Sequence, residues 1–430
     1  MFQRGWWVIL FSGALAAAEG PTGNVIFLHP DGTSIGSWMA TRLREAGPAG
    51  RLNWDELPNV AVYDGRLRDS LAASSHGGAT THAWGVRAPR ENFGFIGPGA
   101  RSLSGFAGPL MKEAQAAGKA VGLVQTGAHF EPGSAVHLVS APKRSDEAAI
   151  MAALVESGAA VLLGGGEALF LPEGAAGRHG PGKRQDGRNL VAEAQHAGYT
   201  VLYTRDELAA VAEVKPGAKF LGLFAAGHTF NDRTEEELRA AGLPHYQPQA
   251  PTYAEMTAFA LRVLAQAPRG FFLVAEEEGT DNFAGNNNAP GTLEAHARAD
   301  AGIGVARAFL ATHPDTLVLT ASDSNAGGMT IVGPQADKLD PAQPLPARTS
   351  NGAPLDGREG TGTPPFMAKP DENGRALPFG ISWGTGDDSA GGVVVRADGL
   401  NAGRVRGSMD NVDVYRVMYL TLFGRELARP

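Results

Sequence analysis

The chain of 430 residues contains no cysteine. That excludes disulfides, cysteine nucleophiles and thiolate metal sites, although an exported protein can do without all three. It also lacks a basic cluster with interleaved aromatics, and its formal net charge is -8 at pH 7. Nucleic acid is therefore excluded as a specific partner. Long hydrophobic runs are scarce as well. Outside the N-terminus no stretch is long and apolar enough to cross a bilayer. The exception, residues 6–18, follows the single positive charge of Arg4 and ends in Ala-Leu-Ala-Ala-Ala. A short basic start, an apolar run and small residues at its end read as a secretory signal peptide over residues 1–18, cleaved after Ala18. The run is short for a membrane anchor. A periplasmic or secreted protein is expected, with no membrane attachment after cleavage.

The chain is rich instead in apolar stretches that run straight into acid. Residues 270–275 lead into Glu276-Glu277-Glu278 and on to Asp281; residues 316–320 lead into Asp323; residues 24–28 lead into Asp31. Each run is too short for a helix and reads as a buried strand. A parallel strand that ends in carboxylates delivers them to the carboxyl edge of its sheet, where α/β proteins build their sites. Carboxylates crowded there repel one another, and a divalent cation is the usual remedy. A lone Asp after a strand is often only the N-cap of the next helix. Three strands that each end in an Asp point to a shared cation site on one sheet edge.

Between these runs, strand and helix patterns alternate along most of the chain. The pattern predicts an α/β fold with a large, mostly parallel central sheet and helices on both faces. With 43% hydrophobic residues the chain can fill a large core. No repeat and no linker divides it, so residues 19–430 are expected to form one catalytic domain. Residues 333–390, rich in Pro, Gly, Asp and Thr, read as an irregular excursion over the active face. The segment 69–85 is rich in small and hydroxyl residues, as a turn into a helix would be. A Ser at such a helix start sits among free N–H groups that suit a phosphate, or simply caps the helix. Gly164-Gly165-Gly166 lacks the Lys and Ser/Thr of a P-loop and is a weak signal.

In order along the chain, these motifs resemble those of the alkaline phosphatase family from about Asn24 to the C-terminus. The family's opening Gly-Asp-Gly-Met-Gly corresponds to Pro30-Asp31-Gly32-Thr33 after His29, and its nucleophile loop to residues 69–81, ending in Gly85-Val86-Arg87. That register puts Ser75 at the nucleophile and Ser74 at the preceding Asp. The family's His-Ala-Thr-Pro matches His129-Phe130-Glu131-Pro132; its Val-Glu-Gly-Gly-x-Ile-Asp matches the segment from Ala275 to Asp281; its Thr-Ala-Asp-His-Glu-Thr-Gly-Gly matches residues 321–328. Gly164-Gly165-Gly166, residues 186–190 and residues 313–317 match landmarks without catalytic roles.

The resemblance implies a metal-dependent hydrolase that cleaves small phosphate monoesters through a phosphoserine on Ser75. Asp31 and Asp323, with Ser324 at a lost His position, would hold one cation. Asp281 and Asn286 would hold a second. Asp31, Glu131 and Glu276 would hold a third. The family's zinc-binding histidines are absent: their places read Gly285 or Asn286, Ser324 and Gly384. Imidazole suits zinc, whereas carboxylate and carbonyl oxygens suit Mg²⁺, Ca²⁺ or Mn²⁺. Mg²⁺ is the expected divalent metal ion, with Ca²⁺, Mn²⁺ and Zn²⁺ as alternatives. The family's phosphate-clamping Arg falls near Ala141, so Lys143 or Arg144 is expected to bind phosphate in its place, with His76 beside the nucleophile. His82 is expected to pack inside the loop; His29, His129 and His228 have no assigned part, and they or His76 would be the substitute ligands if Zn²⁺ alone restored activity to the metal-stripped protein with nitrogen ligation. A homodimer is compatible with the resemblance. The same fold could act on a phosphodiester or a sulfate ester, or the chain could be an impaired homologue that binds metal and phosphate without turnover. N-terminal sequencing of the exported protein is expected to begin near Glu19, and Met1 intact on a cytoplasmic protein would overturn the signal-peptide assignment.

Overall fold

The computed structural model describes residues 20–332 and 341–429. The expected signal peptide and residues 333–340 of the excursion lie outside them. Strand β1 (Asn24–Pro30) is buried at every residue, and its side chains alternate between two cores. Val25 and Phe27 enter one, with the helices Ser75–Trp84, Glu147–Glu156 and Asn411–Phe423. Ile26 and Leu28 enter the other, with the helices Tyr253–Leu264 and Ala289–Thr312. A strand apolar on both faces can only sit between two layers of helices. The expected fold class is therefore the observed one.

The large sheet contains ten strands among the described residues. After β1 they are β2 (Asn59–Asp64), β3 (Ala120–Ala128), β4 (Val161–Gly165), β5 (Tyr199–Leu202), β6 (Lys219–Leu223), β7 (Phe271–Glu277), β8 (Thr316–Thr320), β9 (Val394–Gly399) and β10 (Gly407–Asp410). Their order across the sheet is β10-β2-β9-β8-β1-β7-β3-β4-β6-β5. Only β9 runs antiparallel to its neighbours, β2 and β8. The three strands that run into acid, β8, β1 and β7, are adjacent and parallel. Their carboxyl ends share one edge.

Two expectations need correction. Asp281 does not end a strand. β7 stops at Glu277, and Asp281 stands in the first turn of the helix Gly279–Gly285. The excursion is not irregular throughout. Pro378–Ser382 pairs with Thr330–Val332 on one side and Phe366–Met367 on the other. Asp388–Ser389 pairs with Asn325–Ala326, which ties the end of the excursion down just past Asp323. β10 was not legible, because only Met409 of its four residues is buried.

Among the described residues no helix is long and apolar enough to cross a membrane. Phe272, at the centre of the sheet, is fully buried, whereas Leu71 is 83% exposed. Phe272→Ala should cost about 3–5 kcal/mol of unfolding free energy, and Leu71→Ala should stay within about 0.5 kcal/mol. Urea titration checks both; equal losses would mean that the sheet centre is not the core.

Candidate active site

The parallel register sets the first row of the site. His29 of β1 and Gln125 of β3 both lie opposite Glu276 of β7. Gln125 Nε2 donates to Glu276 Oε2 and, at 3.1 Å, to Ser134 Oγ. The other oxygen, Glu276 Oε1, is buried without a partner. Asp31 Oδ1 accepts from the Gly32 amide at 2.7 Å, and its Oδ2 is unpartnered. Asp323 Oδ2, Asp281 Oδ1 and Glu278 Oε2 are also buried without a partner. Two glycines make room for this crowd. A Cβ on Gly133 would lie 1.9 Å from Glu276 Oε1, and one on Gly78 would lie 2.3 Å from the Asp323 Cβ. Backbone packs against the carboxylates where no side chain fits.

The charges respond to the crowding. Burial opposes the ionisation of Asp31, but the nearby polar hydrogens of Asp323, His29 and Ser75 and the charge of His29 prevail and hold its carboxyl well below the usual range. Burial pushes Asp323 up, reinforced by the Asp31 charge and the hydrogen bond between the two. Burial, then the Asp31 charge, pushes Glu276 up to about 7. Burial, then the Glu131 and Glu276 charges, pushes Glu278 up. Burial also raises Asp281, with the Asp388 and Asp31 charges adding to it. Glu276, Glu278, Asp281 and Asp323 therefore keep protons where they would normally be anions, while Asp31 does not. A divalent cation satisfies the same unpartnered oxygens better than protons do, and the donor set is one that hard divalent ions accept.

Ser75 stands at the first position of the helix Ser75–Trp84. Ser74 is the N-cap: its hydroxyl accepts from the Gly77 amide at 3.4 Å and donates to the Arg90 carbonyl at 2.7 Å. The capping role therefore belongs to Ser74, and Ser75 is free for chemistry, with its hydroxyl against Asp31. At the helix end, Gly85 adopts the left-handed conformation (φ 65°) that closes the last turn. Glu131 follows β3, fully buried, and takes an ion pair from Arg144 at 2.7 Å. Arg144 Nη1 lies 3.3 Å from His76 Nε2. Burial, then Arg144, lowers His76 to about 4, so the ring is neutral at physiological pH.

Other expected residues fall elsewhere. Lys143 is exposed, and Arg144 alone of the pair reaches the site. Asn286 turns outward and donates to Asp232 Oδ1 at 2.6 Å. Ser324 donates to Asp388 Oδ1 at 2.6 Å and so draws Asp388 in beside Asp281. Burial, opposed by Ser324, leaves Asp388 at about 6. His129 bonds the Gly222 carbonyl at 2.9 Å inside the fold, and His82 bonds the Tyr63 hydroxyl at 2.7 Å. His228 Nε2 lies 3.8 Å from Glu131 Oε1.

Sequence reasoning missed His29, Glu278 and Asp388. Asp388 lies 65 residues from Asp323 and reaches the site only through strand pairing within the excursion. Glu278 sits among three consecutive glutamates that sequence alone does not separate. For His29 a signal existed: it is two residues from Asp31 and shares the face of Phe27 by simple alternation.

The sequence profile of one family, described as Alkaline phosphatase, matches residues 22–423. Alkaline phosphatase H of Pseudomonas aeruginosa is 30% identical over 45% of this chain, an alignment that spans only 41% of that relative's length. The crystal structure of Thermus thermophilus alkaline phosphatase superposes with a TM-score of 0.71 and 26% identity, covering 96% of this chain and 94% of that one. A magnesium-bound variant of the TAB5 alkaline phosphatase, from an Antarctic bacterium, gives a TM-score of 0.71 at 19% identity over 94% of this chain and 99% of that one.

Cation binding requires ionised carboxylates. Glu276 at about 7 and Asp388 at about 6 are above the usual range, so both hold protons in weakly acidic solution. Mg²⁺ added at about pH 6 to chelator-stripped protein should therefore release protons, and its apparent affinity should rise with pH. Calorimetry in buffers of different ionisation heat measures the release. Binding without proton release would show that these carboxyls are not ligands.

Proposed function

The chain belongs to the alkaline phosphatase family, and on that premise we propose that it is an exported hydrolase of small phosphate monoesters, acting through a phosphoserine on Ser75. The observation that carries this reading is the Ser75 hydroxyl, freed from capping by Ser74 and set against Asp31 at the rim of the unpartnered carboxylates. Asp31, Asp323 and Glu276 would hold cations at this rim, with Asp281 and Asp388 holding a further one. Bound there, a divalent ion lowers the pKa of a neighbouring hydroxyl and stabilises charge on phosphoryl and leaving oxygens. Mg²⁺ suits the oxygen-rich set.

The chain's own groups do the rest. Ser75 gives its hydroxyl proton to solvent and its Oγ attacks phosphorus in line as the ester P–O bond breaks, and the leaving alkoxide takes a proton from solvent. Water then attacks the phosphoserine, the P–Oγ bond breaks, the proton lost by the water restores the Ser75 hydroxyl, and phosphate is released. The amides of the first helical turn point at the phosphoryl oxygens. Arg144, oriented by its ion pair to Glu131, supplies the clamp expected of a guanidinium. Neutral His76, with Nδ1 unpartnered, adds a hydrogen bond. Positioning and charge neutralisation are most of what phosphoryl transfer needs.

Ser75→Ala should keep phosphate and cation binding but lose on the order of 10³-fold or more in turnover of a chromogenic monoester. Arms with a diester and a sulfate ester separate the reactions this fold can host. Full activity in Ser75→Ala, with loss in Ser74→Ala or Thr80→Ala, would show that the loop register is wrong.

A further inference from the structure

His29 is fully buried near the end of β1. Its Nδ1 lies 2.8 Å from the Ala321 carbonyl oxygen. A carbonyl only accepts, so Nδ1 carries a proton, and the ring in its neutral form, the form a metal takes, presents its lone pair at Nε2. Nε2 has no hydrogen-bond partner. It lies 3.6 Å from Asp31 Oδ1 and 3.9 Å from Asp323 Oδ1, too far for a hydrogen bond to either. Donor atoms of His29, Asp31 and Glu276 all lie within 4.8 Å of one another. Two atoms that each bind one ion at ~2.1 Å stand roughly 3–4 Å apart. The 3.6 Å between His29 and Asp31 is that of two ligands around a common ion, and the 4.8 Å limit leaves Glu276 a small side-chain adjustment from the same ion.

The ring is also held from behind. It tilts against Phe27 at 5.6 Å between centroids and meets the edge of His82 at 5.9 Å. His82 is itself tied to the Tyr63 hydroxyl. An imidazole fixed by Nδ1–H to a backbone carbonyl, with a bare Nε2 aimed among carboxylates, has the outer-shell support that metal-bound histidines have.

We propose that His29 Nε2 is a direct ligand of a divalent cation shared with Asp31 and Glu276. This rests on the metal-dependent reading of the site given above. It brings one imidazole back to a site that has none at Gly285, Ser324 or Gly384, and brings it on a rigid strand. A nitrogen among carboxylates favours Mn²⁺, Co²⁺ and Zn²⁺ over Ca²⁺ more than an all-oxygen site does.

The test loads the chelator-stripped, full-length mature protein with one equivalent of Mn²⁺ and records pulsed EPR. Wild type should show the ¹⁴N coupling of a directly bonded imidazole. His29→Gln should lose that coupling and bind Mn²⁺ ~10- to 100-fold more weakly, while His129→Gln should keep it. Should His29→Gln fail to fold, His76→Gln and His228→Gln decide: a coupling kept in both belongs to His29, and a coupling lost in either overturns the assignment. Mn²⁺ bound without nitrogen coupling overturns it too, since His29 would then be a protonated counter-charge to Asp31 and Asp323. So does a failure to bind Mn²⁺. A parallel monoester assay keeps the two readings apart. Nitrogen coupling without turnover sinks the hydrolase reading and leaves His29 a ligand; turnover without coupling does the reverse.

Discussion

Repulsion among buried carboxylates governs this molecule. Asp31, Glu276, Glu278 and Asp323 are all nearly inaccessible, and they converge with Asp281 where three parallel strands end. Placing that many anions in a low-dielectric interior is prohibitive unless something positive or a set of protons joins them. In the bare protein the compensation comes from protons and from Arg144. The raised carboxyls hold the former, and the Glu131–Arg144 ion pair supplies the latter. On the proposed reading a divalent cation takes the place of the protons and Arg144 serves the substrate.

The sheet makes the crowding tolerable by making it rigid. Apolar side chains of β1, β7 and β8 alternate into two cores, so the strand ends cannot spread to relieve the repulsion. Gly133 and Gly78 let backbone approach the carboxylates so closely that no side chain could intrude. The helix that starts at Ser75 is aimed at the same place, and the Ser75 hydroxyl meets Asp31 because Ser74 takes over the capping. The carboxylates and the start of this helix thus meet at one point on the sheet edge.

Much of this was legible in the chain itself. Apolar runs ending in acid gave the strands and their shared edge, because burial on both faces leaves a strand no alternative place. Matching the loop 69–81 to its family pointed to Ser75, which stands at the first position of its helix beside Asp31. Reach was harder to see. Lys143 and Arg144 are neighbours in sequence, yet only one turns inward. Asn286 was read as a ligand, but Asp232 lies closer and takes its amide. Asp388 arrives through pairing of two-residue strands, which no periodicity announces. His29 needed the cross-strand register as well as alternation, since only the register places it beside Glu276.

The central claim is that the carboxylate edge exists to make Ser75 a phosphoryl acceptor. Acid quenching of the protein during turnover of a radiolabelled phosphate monoester, followed by peptide mapping, measures that directly. The label should lie on the peptide that contains Ser75 and should vanish when divalent cations are chelated. Turnover with no trapped label, or a label on another residue, would contradict it.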